Sequence, residues 1–130
     1  MYSHMMVGSN DVGRSKKFYD ALFASVGGKP AHPDDKGRLA YMHNGGIFLV
    51  TPPIDGQPAT CGNGSTIGFA MDGPEQAEAW HKAGIAAGGT AIEDPPGVRQ
   101  GSFGPLYLAY LRDPDGNKLC ALHRMPVAAE

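Results

Sequence analysis

HMMVGSNDVGRSKKFYDALFASVGG, residues 4–28, changes its periodicity part-way along. The opening residues 4–8 read as a short strand. Asp11 then stands where a helix N-cap belongs, with a carboxylate able to take a first-turn backbone N–H. Beyond it Phe18, Leu22 and Val26 recur every fourth residue, with Tyr19 and Phe23 beside them. That stripe predicts an amphipathic helix with one face turned to a core. Gly27-Gly28 ends it, because glycine takes the left-handed conformation that closes a helix C-terminus. Three strand-like pieces follow, near residues 29–32, 38–42 and 47–51. Asn44-Gly45-Gly46 makes a tight turn between the last two.

After a Pro/Gly-rich stretch, residues 52–64, the same plan begins again. Residues 66–71 read as a strand. Asp72 reads as a helix cap, with Pro74 early in the helix and Glu75 at capping-box spacing. Ala77, Trp80, His81 and Gly84 mark the inner face, and Gly88-Gly89 stops it. Strands are expected at residues 90–93, 106–111 and 119–123. Asp113-Pro114-Asp115-Gly116-Asn117 is a strong turn joining the last two. Offsets confirm the recurrence: His4 and Thr66 lie 62 residues apart, as do Phe18 and Trp80, while Gly27 and Gly88 differ by 61. Gly46 and Asn117 differ by 71, because the second half carries a longer loop. A strand, a helix and three strands therefore occur twice. Neither half has enough strands to close a core. Two halves side by side predict an α+β fold of two βαβββ modules, forming a curved mixed sheet with helices on the outer face and a concave pocket. The expected organisation is one domain over residues 1–130: module one at about 1–52, a connector at 53–64 and module two at about 65–126.

The length of 130 residues suits one domain and suffices to bury a core without disulfides or a structural metal. The net charge is -2, and Lys16-Lys17 is the only adjacent basic pair, which argues against a nucleic-acid partner. Cys61 lies in a Gly-rich stretch and Cys120 in an apolar run, so their spacing gives no reason to pair them. The N-terminus has no basic leader followed by an apolar segment, and no apolar run approaches membrane-spanning length. The expectation is a reduced, cytoplasmic protein without a membrane partner. Gly62-Asn63-Gly64 lacks the following helix and lysine of a phosphate loop.

Three stretches together resemble the vicinal oxygen chelate superfamily of glyoxalase I, bleomycin-resistance proteins and extradiol dioxygenases. The first runs from His4 to Asp11 and on to Ser15, Phe18 and Tyr19. The second is Gly64-Ser-Thr-Ile-Gly-Phe69. The third runs from Tyr107 to Asn117 with its Asp-Pro-Asp-Gly-Asn turn. The resemblance covers nearly the whole chain. It implies a metal site fed by the first and last strand of each half, carried onto His4, Leu49, Thr66 and Cys120. Members with a metal usually show His, Glu, His and Glu there, and only His4 matches. Leu49 cannot coordinate an ion, Thr66 offers a weak neutral oxygen, and Cys120 replaces a hard carboxylate with a soft thiol. No metal is expected at these positions and no cofactor is implied; a divalent metal is disfavoured.

Several side chains are candidates for the pocket. His4 offers an imidazole, a side chain able to move a proton. Cys120 can act as a nucleophile if His4 activates it, or as a small buried apolar residue. Arg99, in the loop 95–104, can hold a carboxylate or phosphate. Thr66, Phe48, Phe103 and Tyr107 complete the candidate substrate-binding set. Tyr107 and Tyr110 cannot both line one face, since they are three apart on a strand. Three functions compete: an enzyme of lyase, isomerase or dioxygenase type, as the resemblance implies; a metal-free protein that binds or sequesters a small molecule; and a metal-free enzyme using His4 and Cys120. The resemblance also implies a homodimer, which would cover exposed sheet edges.

Overall fold

Asp11 does cap the first helix: its side chain accepts from the Arg14 backbone N–H at 3.0 Å. The computed structural model describes residues 1–127. The elements are β1 (His4–Gly8), α1 (Val12–Ala24), β2 (Leu39–His43), β3 (Gly46–Thr51), β4 (Ile67–Ala70), α2 (Pro74–Ala86), β5 (Thr90–Ala91), β6 (Gly97–Gly101), β7 (Gly104–Arg112) and β8 (Lys118–Arg124). They form an α+β fold with one mixed sheet in each half. The first sheet runs β1-β3-β2 and the second β4-β8-β7-β5, with β6 also on β7.

The two halves share a register as well as an order. β1 lies parallel to β3 with Met6 opposite Leu49, and β4 lies parallel to β8 with Gly68 opposite Cys120. Advancing Met6 by 62 and Leu49 by 71 gives those second-half partners, so the sequence offsets are also the offsets of the ladder. Because partners in a ladder put their side chains on one face, the halves present equivalent faces.

One face of each sheet is covered by helix. Val50, Tyr41, Phe48, Phe69, Leu119 and Leu111 pack against Phe18, Tyr19, Leu22 and Phe23 of α1 and Trp80 of α2, all buried in one continuous core. Gly84 lets α2 approach: a Cβ there would sit 2.3 Å from Leu111 Cδ1 and 3.1 Å from Leu22 Cδ1.

Four expectations change. Residues 29–32 form no strand; Pro30 and Pro33 cannot donate to a ladder, and the Ala31 N–H donates instead to Asp20 Oδ1 at 3.1 Å. The loop expected at residues 95–104 contains β6, which pairs with β7 from Gly97 opposite Leu108 to Gly101 opposite Gly104. Gly104, at φ 104°, supplies the left-handed residue that turns this hairpin, a tertiary feature no apolar alternation signals. Asp72 does not cap α2. Gly73 holds that place with no side-chain bond, and Gln76 reaches back to the Asp72 N–H at 2.7 Å. Finally, β1 and β4 are not hydrogen-bonded to each other. A seam therefore divides the expected single curved sheet.

Candidate functional site

Strand parity decides which side chains face away from the helices. Val7 and Val50 are buried on the helix side, so His4, Met6, Ile47 and Leu49 point the other way, together with Ala40 and Met42 of β2. In the second sheet Phe69, Ala121 and Ala109 are buried beneath the helices. Gly68, Cys120, Leu122, Tyr110 and Leu108 then take the open face. Arg99 is opposite Leu106 and belongs to the same face.

Two hollows lie along the seam. One, of about 200 Å³, is bounded by Met5, Phe48, Ile67 and Phe69, with His43 and Asn44 at its rim. The other, of about 260 Å³, is bounded by Met6, Gly8, Thr66, Asn117 and Lys118 among others. Asn44 spans the seam at one end, donating its side-chain amide to the Ala70 carbonyl at 3.0 Å.

The far end of the seam is held by a polar network. Asp113, 4 % exposed, accepts from the Tyr19 hydroxyl at 2.5 Å, from the backbone N–H groups of Asp115 and Asn117 at 2.9 Å each, and from the Asn117 amide at 2.9 Å. Asp115 accepts from the Asn10 backbone at 3.0 Å, from Arg14 at 2.8 Å and from Ser15 at 3.2 Å. The first and third of the stretches that carried the family resemblance thus meet in space. The β7–β8 turn of the second half is docked onto the helix start of the first.

A second cluster surrounds Cys120. Tyr110 lies opposite Cys120 across the ladder, the Cys120 thiol donates to the Ala121 carbonyl at 3.5 Å, Lys118 lies 4.9 Å from the Tyr110 ring centroid, and Lys118 pairs with Glu93. Burial, and after it the charge of Glu93, pushes the Cys120 thiol above its ordinary range; the neighbouring Tyr110 hydroxyl and the charges of Lys118 and Arg99 pull the other way without overcoming it. Tyr110 is raised as well, by burial first and then by Cys120. A thiol so placed stays protonated at neutral pH and is a poor nucleophile. In the folded protein at pH 8, Cys61, which is exposed, should therefore react with a disulfide reagent at least about tenfold faster than Cys120. Two equally fast phases in the thiol titration would contradict this placement.

The candidate residues separate. His4, at the start of β1, is exposed, and its Nδ1 is 2.7 Å from the Ser3 hydroxyl. Cys120 lies in the other sheet, buried opposite Tyr110, with its thiol on the Ala121 carbonyl. Arg99 shares Cys120's face, but its guanidinium donates to the carbonyls of Gly97 and Asp94, both at 2.9 Å, and so clamps its own loop. Thr66 precedes β4 and borders the larger hollow. Phe48 borders the smaller one while remaining 4 % exposed. Phe103 is 86 % exposed in the β6–β7 turn. Tyr107 faces the helices: its hydroxyl donates to Glu78 of α2 at 2.5 Å, and burial followed by that bond pushes its pKa up to about 12. Tyr110, set aside by the choice of Tyr107, occupies the open face. Its position opposite Cys120 was the available signal.

The metal-ligand positions do not suit a hard divalent ion. An imidazole, a hydrocarbon, a hydroxyl and a protonated thiol are a poor donor set for it. Among the described residues, no three His, Cys, Asp or Glu side chains gather as an ion requires.

A family profile described as the Glyoxalase/Bleomycin resistance protein/Dioxygenase superfamily matches residues 2–121. A solved glyoxalase/bleomycin resistance protein from Albidiferax ferrireducens T118 is 60 % identical, with a TM-score of 0.91 over 95 % of this chain and 99 % of that one. More distant structures share the fold. A glyoxalase-related enzyme from Fulvimarina pelagi is 17 % identical at TM-score 0.70, over 99 % of this chain and 93 % of that one. A lactoylglutathione lyase from Agrobacterium tumefaciens is 16 % identical at TM-score 0.65, over 95 % and 92 %. A search of the curated proteins finds no match. Among the described residues, no helix is long and apolar enough to cross a membrane.

Proposed function

The chain belongs to the glyoxalase/bleomycin resistance protein/dioxygenase superfamily, and from that premise we propose that it binds a small organic molecule along the inter-module seam without a metal ion. The observation that carries this reading is the donor set. Of the four equivalent strand positions, His4, Leu49, Thr66 and Cys120, one is hydrocarbon and one is a thiol that burial keeps protonated. What remains is two hollows: the smaller has mainly apolar walls and few polar groups, the composition of a binding site, and the larger adds Thr60, Ser65, Thr66, Asn117 and Lys118 to its apolar lining. The same burial speaks against a Cys120 nucleophile activated by His4. In the cytoplasmic setting proposed from composition, neither cysteine requires oxidation.

The open face also supports a homodimer. Met42 is 71 % exposed, and Met6 and Ile47 are each 41 % exposed, all on the face away from the helices. A second copy laid on that face removes this apolar surface from water. Its residues would then enclose the seam from outside.

Thermal-shift measurements with small aromatic and carboxylated compounds test the ligand reading. A ligand at 100 times its Kd adds about 2.7 kcal/mol, an easily read shift. At least one compound class should raise the melting temperature equally with EDTA and with added Mg²⁺, Mn²⁺ or Zn²⁺. Stabilisation that vanishes with EDTA would overturn the metal-free reading. A broad panel giving no shift would overturn ligand binding itself.

A further inference from the structure

We propose that the smaller seam hollow, beside His43, selects a compact phenol: an uncharged one- or two-ring aromatic carrying a hydroxyl. This rests on the reading of the seam as a ligand site and names the class of ligand it takes. Size comes first. The hollow measures about 200 Å³. An apolar cavity of roughly 150 Å³ accepts benzene, and pockets for drug-sized ligands begin at about 300 Å³, so one or two rings fit.

The walls come next. Phe48 and Phe69 stand edge to face with ring centroids 5.3 Å apart, and Met5, Ile47, Ile67 and Ala70 add apolar side chains to the lining. No Asp, Glu, Lys or Arg contributes to it. A charged ligand would lose its hydration there with nothing in return.

His43 is the polar group at the rim. Its ring is wedged between Phe23 and Phe69, each 6.2 Å away between centroids. Burial lowers its pKa, and the charge of Asp72 opposes that without reversing it, so the ring is neutral at pH 7. A neutral imidazole offers one donor and one acceptor nitrogen. A hydroxyl answers either tautomer, because it both donates and accepts. The neighbouring Asn44 amide is already committed to Ala70.

Gly68 gives the means to close the hollow. It borders the hollow, lies in regular strand backbone, and a Cβ added there meets nothing within 4 Å. Gly68→Val therefore fills ligand space and spares the core.

The experiment is methyl NMR on the full chain, labelled at Met and Ile, titrated with phenol, toluene and benzoate. Phenol should shift Met5, Ile47 and Ile67 and leave Ile85, on the exposed side of α2, unmoved. It should bind at least about tenfold more tightly than toluene or benzoate, the order of one retained hydrogen bond. Gly68→Val should weaken phenol at least tenfold, and His43→Phe should reduce phenol to the affinity of toluene. If phenol leaves all three methyls unmoved while another compound shifts them, the class is overturned and the seam site stands. If no compound shifts them, both readings fall. A folded Gly68→Val that binds phenol as before, or a His43→Phe that keeps the phenol preference, also overturns the proposal. Should Gly68→Val fail to fold, the His43→Phe comparison decides alone.

Discussion

Replacing Asp113 with alanine should remove about 3–5 kcal/mol of stability, the range seen when one partner of a buried charged network is deleted. The carboxylate is 4 % exposed and accepts four hydrogen bonds. Alanine leaves the Tyr19 hydroxyl, two backbone N–H groups and the Asn117 amide without their acceptor, each desolvated donor costing about 1–3 kcal/mol before relaxation. The turn itself then loosens, and with it the attachment of Asp115 to Asn10, Arg14 and Ser15. Small domains have only about 5–15 kcal/mol in total, so the variant should approach the edge of folding. Urea unfolding followed by circular dichroism measures this. Tyr19→Phe deletes only one of the four bonds and should cost about 1–2 kcal/mol. An Asp113→Ala loss no larger than that of Tyr19→Phe would mean that the turn, and not the inter-module bond, carries little weight. Asp115→Asn offers a gentler probe. It keeps the shape but weakens the Arg14 pair, and its effect should appear at the larger hollow, where Gly8 and Asn117 form part of the wall.

The Asp113 network shows where the sequence was legible and where it stopped. Both helices and the repeat follow from local periodicity, because apolar spacing and caps act within a few residues. Asp11 is a cap for the local reason given. Asp113 and Asp115 also read correctly as turn residues, yet local chemistry cannot say what a turn docks onto. Their partners Tyr19 and Arg14 lie 94 and 101 residues away in the chain. The same limit explains β6, whose strand exists only because β7 is beside it, and Asp72, displaced as a cap by Gly73. Within the site, parity on β7 could exclude one of Tyr107 and Tyr110 but could not choose between them. The choice depends on where α2 and its Glu78 lie. His43 could be named as a spare imidazole, but its direction carried no signal. A histidine before a hairpin turn acquires meaning only when Phe23 and Phe69 close around it.

Phe48 is the residue at which a binding role and a packing role can be separated, and Phe48→Ala should cost about 3–5 kcal/mol. The ring borders the smaller hollow, but it is 4 % exposed and lies 5.0 Å from the Tyr19 ring, 5.9 Å from Phe23 and 5.3 Å from Phe69. Removing it forfeits both transfer energy and contacts from three aromatic neighbours. A loss of that size corresponds to a fall of roughly 10–20 °C in melting temperature for a chain of this length. A residue that only touched ligand would leave the unliganded protein's melting temperature nearly unchanged, so the experiment discriminates without any ligand. Added ligand then reads the geometry. Phe48 lines the hollow, so loss of its ring should enlarge that hollow, and toluene should stabilise Phe48→Ala more than the parent protein. At 100 times Kd it should restore about 2.7 kcal/mol. Phe48→Leu provides the bound on the packing term alone, since it keeps most of the volume and should lose less than half as much. If Phe48→Ala collapses around the missing ring, toluene will gain no advantage over the parent, and Phe48 must then be counted as core and not as the wall between core and site.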